Sequence, residues 1–82
     1  MNFPCSFKIK IVGDNSAGFV DDTLAAVASI LSVEPSMIPS STKQSSGGKY
    51  VSISINPWFS SAEDIYTVYD VLAKDSRIKF VV

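Results

Sequence analysis

The chain has 82 residues, of which seven are basic and eight acidic, so its formal net charge is -1. This length fits one domain over residues 1–82, and the charge balance argues against the basic surface of nucleic-acid-binding proteins. The sequence contains no histidine and a single cysteine, Cys5. These counts exclude zinc sites built from cysteine and histidine, imidazole catalysis and an internal disulfide. We therefore expect neither a metal nor a cofactor.

The start of the chain and its hydropathy indicate a soluble protein. Residues 1–20 lack the basic region and apolar region of a signal peptide. No apolar run reaches the roughly 20 residues that a membrane helix needs. We therefore expect a cytoplasmic location, with Cys5 acting as a small buried hydrophobe of the first strand.

The first half of the chain predicts a strand followed by a helix. In FKIKIVG the apolar residues alternate with Lys8 and Lys10, which is typical of a strand with one buried face, and Gly13 ends it. A helical apolar stripe then predicts a helix over residues 17–31, capped by Ser16. The stripe is expected to comprise Val20, Leu24, Val27 and Leu31, flanked by Phe19, Ala28 and Ile30.

The second half predicts two further strands, a helix and a last strand. MIPSSTKQ suits an edge strand, and KYVSISIN alternates clearly, so the glycines between them read as a hairpin turn with positive φ. Ser60 and Glu63 form a capping box that opens the second helix. RIKFVV then alternates again, and we expect Ile78, Phe80 and Val82 on the buried side.

The resulting order, β-α-β-β-α-β, predicts an α+β fold. It is that of a ferredoxin-like sandwich, a four-stranded antiparallel sheet with two helices on one face. The sheet surface turned away from the helices is called the open face below. The side chains expected on it are Lys8, Lys10, Ser52, Ser54 and Lys79.

Three segments of the chain carry spaced motifs: F-P-C-x-F-x-x-K-x-x-G at the start, S-x-x-G-x-Y-x-S in the middle and a tyrosine in the second helix. The residues at these positions are Phe3, Pro4, Cys5, Phe7, Lys10 and Gly13, then Ser45, Gly48, Tyr50 and Ser52, and finally Tyr66 or Tyr69. In these motifs the chain resembles the YbeD-like family of small proteins of unknown function. The resemblance implies a ferredoxin-like fold similar to the regulatory ACT domains, and it implies no established activity.

The loop before the first helix is similar to the ligand loop of ACT domains, D-x-P-G-x-L. Ala17 replaces the usual proline, and one extra residue separates it from Asp14. A helix N-terminus can bind a carboxylate, so this loop is one candidate ligand site. Its residues are Asp14, Asn15, Ser16, Ala17 and Gly18, with the backbone N–H groups of Ala17 and Gly18 as donors.

Two surfaces are candidates for binding a partner. The open face would present the family-motif residues together with its lysines to an acidic partner, and its shortage of aromatic residues argues against RNA. The outer face of the first helix is free of charged residues between Asp22 and Glu34. Small side chains there would allow another helix or subunit to approach, and they are Ala25, Ala26, Ser29 and Ser32.

The sequence thus favours a non-enzymatic regulatory or protein-interaction module with a protein partner or self-association. The alternative is an ACT-like sensor that binds a small carboxylate or an amino acid at the first strand-helix loop. An enzyme would need a general acid–base pair, and no two carboxylates converge in the predicted fold. The sequence also lacks the first-loop arginine of acylphosphatase-like enzymes and the C-x-x-C of copper chaperones.

Overall fold

The computed structural model describes residues 2–82, which form two helices and six strands. Their bounds are β1 (Cys5–Ser6), β2 (Ile9–Asp14), α1 (Phe19–Leu31), β3 (Ser40–Gln44), β4 (Tyr50–Ile55), β5 (Trp58–Phe59), α2 (Ala62–Ala73) and β6 (Ile78–Val81). One turn of 3-10 helix, Pro35–Met37, lies between α1 and β3. Neither α1 nor α2 is long and apolar enough to span a bilayer.

The strands form two antiparallel sheets. The larger sheet has the order β3-β4-β2-β6, and β1 pairs with β5 in a separate two-stranded sheet. The predicted α+β class is therefore confirmed, whereas the expectation of a single four-stranded sheet was incomplete. β1 and β5 have two residues each, so they are too short to show an alternating pattern in the sequence.

One core joins the larger sheet to both helices. Five apolar side chains of β2 and β4 point to the same side, because every second residue of a strand does so. They are Ile9, Ile11, Val51, Ile53 and Ile55, and all five are buried. The same cluster contains Val27 of α1 and Val68 and Leu72 of α2, with Phe59 of the small sheet. The helices therefore cover this side of the sheet and leave the other side open.

The buried side of the first helix differs from the predicted apolar stripe. It begins at Phe19, and its N-terminal cap is Gly18 in the left-handed conformation with φ 79°. Phe19 and Ala28, expected at the margin, are fully buried, while Val20 and Leu24 are only half-buried. The buried residues also include Thr23, whose polar character hid it from the apolar pattern.

Both predicted helix caps are displaced. Ser16 makes no side-chain cap for α1; instead its carbonyl accepts a hydrogen bond from the N–H of Phe19 at 3.2 Å. The cap of α2 is Ser61, one residue beyond the predicted Ser60. Its hydroxyl accepts from the N–H of Asp64 at 3.3 Å.

The last strand contains an irregularity that reverses the predicted alternation. Gly13 pairs with Ile78, but the next pair on this ladder is Val12 with Phe80, so Lys79 is an extra residue. Such a β-bulge moves the following side chains to the opposite face. Val81 consequently packs on the core. The expectation that Phe80 and Val82 would be buried was wrong, because both are exposed.

The predicted hairpin between β3 and β4 is confirmed. The N–H of Gly48 donates to the carbonyl of Ser45 at 2.8 Å, which closes a four-residue turn. Gly47 has φ 86° at the third position, where a type II turn requires a positive value. Gly48 also has a positive φ of 72°.

Candidate functional site

Strand pairing fixes which residues occupy the open face. Lys10 lies opposite Ser54, and Val12 lies opposite Ser52. On the other side of β2, the backbone of Lys10 exchanges two hydrogen bonds with Val82, which follows β6. The side chains assigned to this face are Ser41, Lys43, Tyr50, Ser52, Ser54, Lys10, Val12, Asp14, Phe80 and Val82.

An apolar cluster occupies the β2–β6 side of the open face. Phe80 is 54% exposed and Val82 is 66% exposed. Val12 is the cross-strand partner of Phe80 and is half-buried. Side chains of one face on paired strands lie close enough to touch, so these three form a continuous apolar surface. We call them the apolar cluster.

Two depressions continue this face towards β3. The larger is a groove of about 620 Å³, lined among others by Lys8, Lys10, Ser54 and Val82. The smaller, of about 150 Å³, lies beside Tyr50 and is lined by Val12, Lys43 and Ser52. Serines of β3 and β4 are among the lining residues of both depressions, with Ser41 and Ser54 in the larger and Ser52 in the smaller. The open face is therefore furrowed, with apolar and basic residues at its borders.

The lysines of this region divide into paired and unpaired groups. The Nζ of Lys79 lies 3.5 Å from the Oδ1 of Asp14, which is the carboxylate of the open face. Among residues 2–82, no carboxylate oxygen lies within 4.0 Å of the ammonium groups of Lys8, Lys10 or Lys43. These three side chains are exposed and are free to pair with carboxylates from outside the chain.

Two candidate sets that the sequence analysis kept apart meet at one end of the sheet. The side-chain amide of Asn15, in the β2–α1 loop, donates to the carbonyl of Gly48 in the hairpin at 2.8 Å. The backbone N–H of Asn15 donates to the carbonyl of Lys49 at 3.1 Å. Asn15 therefore holds the two loops together, a role that its position in the sequence alone did not reveal.

The candidate ligand loop already has partners within the chain. Asp14 pairs with Lys79, and the N–H of Ser16 donates to the carbonyl of Asp14 at 2.9 Å. Asp21 and Asp22 occupy the first turn of α1, where their negative charge already complements the helix dipole. Ala17 and Gly18 are exposed. Carboxylate binding at this loop stays a prediction.

The family-motif residues of the hairpin have identifiable structural contacts. The hydroxyl of Ser45 accepts from the N–H of Tyr50 at 3.0 Å, which closes the base of the loop. The Nζ of Lys49 lies 5.3 Å from the ring centre of Tyr50, a cation–π distance. The hydroxyl of Ser52 donates to the carbonyl of Lys43 at 3.4 Å. The tyrosine ring and the Ser52 hydroxyl are both on the open face.

The small residues of α1 are distributed as an outward stripe. Ala25, Ser29 and Ser32 are exposed, and Ala26 is half-buried. Ser32 ends the helix with φ 57°, and its N–H donates to the carbonyls of Ala28 and Ser29. This closure explains the conformation of Ser32 without a partner, and an interface on α1 stays a prediction.

Arg77 is a structural residue that the sequence analysis missed. Its guanidinium donates to both oxygens of Asp75, at 2.8 and 3.0 Å, and to Asp22 of α1 at 3.0 Å. The Arg77 hydrogen bonds hold the pKa of the Asp75 carboxyl below its ordinary value, and the same bonds raise the pKa of Arg77. The spacing D-x-R was the only signal in the sequence, and the contact with Asp22 is too distant in the chain to read.

These observations define a small α+β protein with a furrowed, partly apolar and basic sheet surface. The whole of residues 1–82 matches the model of a family described as "Protein of unknown function (DUF493)". The chain belongs to this family. The resemblance read from its three sequence segments is thereby confirmed.

Curated relatives match nearly the full chain. UPF0250 proteins of Shewanella woodyi and Shewanella piezotolerans are 41% and 38% identical to it over 81 residues. A third, from Shewanella halifaxensis, is 42% identical over 83 residues. In each case the match covers 99% of this chain and 89% of the relative. Their names state no activity.

Proposed function

We propose that this protein is a non-enzymatic regulatory or protein-interaction module that binds its partner through the open face. The observation that carries the proposal is the exposed apolar cluster of Val12, Phe80 and Val82. Contiguous apolar surface bordered by polar residues is typical of protein-binding sites. Burying a side chain such as Phe80 completely would contribute about 1.5–3 kcal/mol to association before the costs of binding are subtracted.

The proposal includes a ferredoxin-like arrangement similar to ACT regulatory domains. Support comes from the strand order of the larger sheet, β3-β4-β2-β6. It also comes from the order of elements along the chain, where α1 connects β2 to β3 and α2 lies between β4 and β6. A sheet with helices on one side must either expose its second side to water or cover it with a partner. An ACT-like module would use that second side or its loops for regulation.

The non-enzymatic part of the proposal is supported by how the acidic side chains are used. Asp14, Asp22 and Asp75 each bind a cationic side chain of the same chain. Their contacts explain their positions without invoking a reacting group. We also propose a cytoplasmic location, where a free thiol such as that of Cys5 stays reduced.

The proposal is tested with the immobilised protein and extract of the source cells. We expect the wild type to retain a reproducible protein partner and Phe80→Asp to lose it, because the substitution places a charge in the apolar cluster. Tyr66→Asp is the matched control, since Tyr66 is an exposed aromatic residue of α2 away from the open face. Circular dichroism verifies that both variants are folded.

Three outcomes separate the alternatives. Retention by Tyr66→Asp together with loss by Phe80→Asp supports the open face. If Ala25→Asp loses the protein partner while Phe80→Asp retains it, the interface lies on α1 and the proposal is contradicted. Absence of any protein retained reproducibly by the wild type would also contradict it.

A further inference from the structure

We propose that the partner of the open face is an acidic amphipathic helix, whose apolar side chains cover the apolar cluster and whose carboxylates pair with Lys8, Lys10 and Lys43. This inference rests on the proposed function and adds the chemical class of the partner. It follows from three properties of the surface: its apolar cluster, its unpaired lysines and its small central side chains.

The positions of the lysines relative to the apolar cluster determine where the partner must carry carboxylates. Lys10 lies beside Val82, the two being joined by backbone hydrogen bonds. On the far side of β4, Lys43 is the partner of Ser52, which in turn faces Val12. A ligand that covers the cluster therefore meets Lys10 beside Val12 and Val82, and it meets Lys43 two strands away in the direction of β3. Apolar residues bordered by carboxylates match this arrangement.

The centre of the open face leaves room for side chains of such a helix. Ser41, Ser52 and Ser54 lie on adjacent strands, with Ser41 directly opposite Ser54. Their short side chains form the furrow between the lysines. The other side of this sheet already packs against two helices, and a third helix on the open face would complete a three-layer arrangement.

Charge is segregated across the whole molecule. Seven carboxylates lie on the helices or in the segments that follow them, namely Asp21, Asp22, Glu34, Glu63, Asp64, Asp70 and Asp75, and the same regions hold two cations, Lys74 and Arg77. The remaining charged residues lie on the strands or beside them, and they are Lys8, Lys10, Lys43, Lys49, Lys79 and Asp14. The sheet side is thus basic within a chain whose net charge is -1. An acidic ligand is attracted to this side and repelled by the helical side, which gives the encounter a direction.

Two other occupants fit these observations less well. RNA-binding sheets of this kind stack bases on aromatic residues, and here the centre of the face carries serines, Lys10 and Val12. A second copy could offer the acidic outer side of its α2 to the open face. Such a head-to-tail contact covers every open face only if it closes into a ring, and otherwise it leaves a free face at the end of an open chain of molecules.

The test uses the ¹⁵N-labelled full chain and a synthetic helical peptide of leucines and glutamates, about 18 residues or five turns long. A second peptide with lysine in place of every glutamate is the matched probe. We expect the acidic peptide to shift the backbone amide signals of Lys10, Val12, Ser52 and Ser54. We expect the basic peptide to leave them unchanged, and added salt to weaken the acidic complex.

Two variants and a control locate the contact. Lys10→Glu and Phe80→Ser should each lower the affinity for the acidic peptide by about tenfold or more, equivalent to about 1.4 kcal/mol of binding free energy. Lys74→Glu is the control, because Lys74 lies at the end of α2, and it should bind as the wild type does. Heteronuclear spectra of each variant show whether its fold is retained.

Several results would overturn the inference. These are signal shifts confined to α1 or α2, equal binding of both peptides, or no shift at millimolar acidic peptide. Stronger binding of a single-stranded RNA would assign the face to nucleic acid, and concentration-dependent self-association that protects it would assign it to a second copy. If the acidic peptide fails here while the wild type retains a protein partner that Phe80→Asp loses, the proposed function stands and only the acidic helix is rejected.

Discussion

Gly13 determines how closely α1 can approach the sheet. It lies in β2 beside the bulge, and the ring of Phe19 packs directly over it. A Cβ atom at this position would overlap the Phe19 ring and would lie 2.8 Å from the carbonyl oxygen of Arg77. Both neighbours are fixed, because Phe19 is fully buried and this carbonyl accepts from the N–H of Asp14 at 2.9 Å.

We therefore predict that Gly13→Ala destabilises the protein by about 1–3 kcal/mol, the usual cost of inserting a carbon into a packed core. Urea denaturation followed by circular dichroism measures the change. Ser54→Ala on the exposed side of the same sheet is the control and should change stability by less than about 0.5 kcal/mol. Equal stabilities of the two variants would show that Phe19 moves aside freely.

Gly13 also illustrates what a sequence reveals about single residues. The sequence predicted a strand end at this glycine, yet β2 continues to Asp14, because the glycine accommodates a ring rather than a turn. Ser16 was a reasonable cap by residue type, but Gly18 adopts the capping position. Preferences of residue type do not contain the tertiary contact that selects among neighbouring candidates.

The connection between α2 and β6 is held by an ionic contact rather than by apolar packing. Arg77 binds Asp75 through two hydrogen bonds and reaches Asp22 of α1. Its guanidinium carbon also lies 5.2 Å from the centre of the Phe19 ring. One side chain thus joins α1 to the connection that leads from α2 into the last strand.

This contact predicts a pH dependence of stability. Because Arg77 lowers the pKa of Asp75 in the folded state, the stabilisation is fully present above the unfolded value of about 4. It is lost as the pH falls through the lower folded value. We predict that the unfolding free energy of the wild type decreases more steeply than that of Asp75→Asn as the pH is lowered below about 4.

The measurement is urea unfolding at a series of pH values. Asp70→Asn is the control, since Asp70 is exposed on α2 and makes no ion pair with residues 2–82. It should keep the steepness of the wild type. If the curve of Asp75→Asn runs parallel to that of the wild type, the pair contributes nothing to acid sensitivity.

Elements with a clear period were predictable, and irregular ones were not. β2, β4 and both helices carry repeated apolar spacings, so their existence and order followed from the sequence. β6 has a good alternation too, but one bulge at Lys79 exchanges its faces. The apolar cluster was missed for this reason, since Phe80 and Val82 read as core residues. The sequence therefore predicted the lysines and serines of the candidate site but not its apolar residues.

The molecule as a whole depends on the two-stranded sheet of β1 and β5, which no pattern in the sequence indicated. In β5, Phe59 is fully buried and belongs to the core, while its neighbour Trp58 is 67% exposed. The rings of Phe59 and Phe7 meet edge to face, with centroids 6.3 Å apart. The segment before β2 is thus attached to the core through Phe59 rather than through the larger sheet.

We predict that Phe59→Ala destabilises the protein by about 3–5 kcal/mol, because it removes a buried ring and leaves a cavity. A chain of this length has a total stability of about 4–12 kcal/mol, so the substitution should remove at least about a quarter of it. Trp58→Ala is the matched control on the same strand and should lose less than about 1 kcal/mol. Urea unfolding followed by circular dichroism measures both. Similar losses for the two variants would mean that β5 is held by its strand pairing with β1, and that the small sheet folds independently of the core.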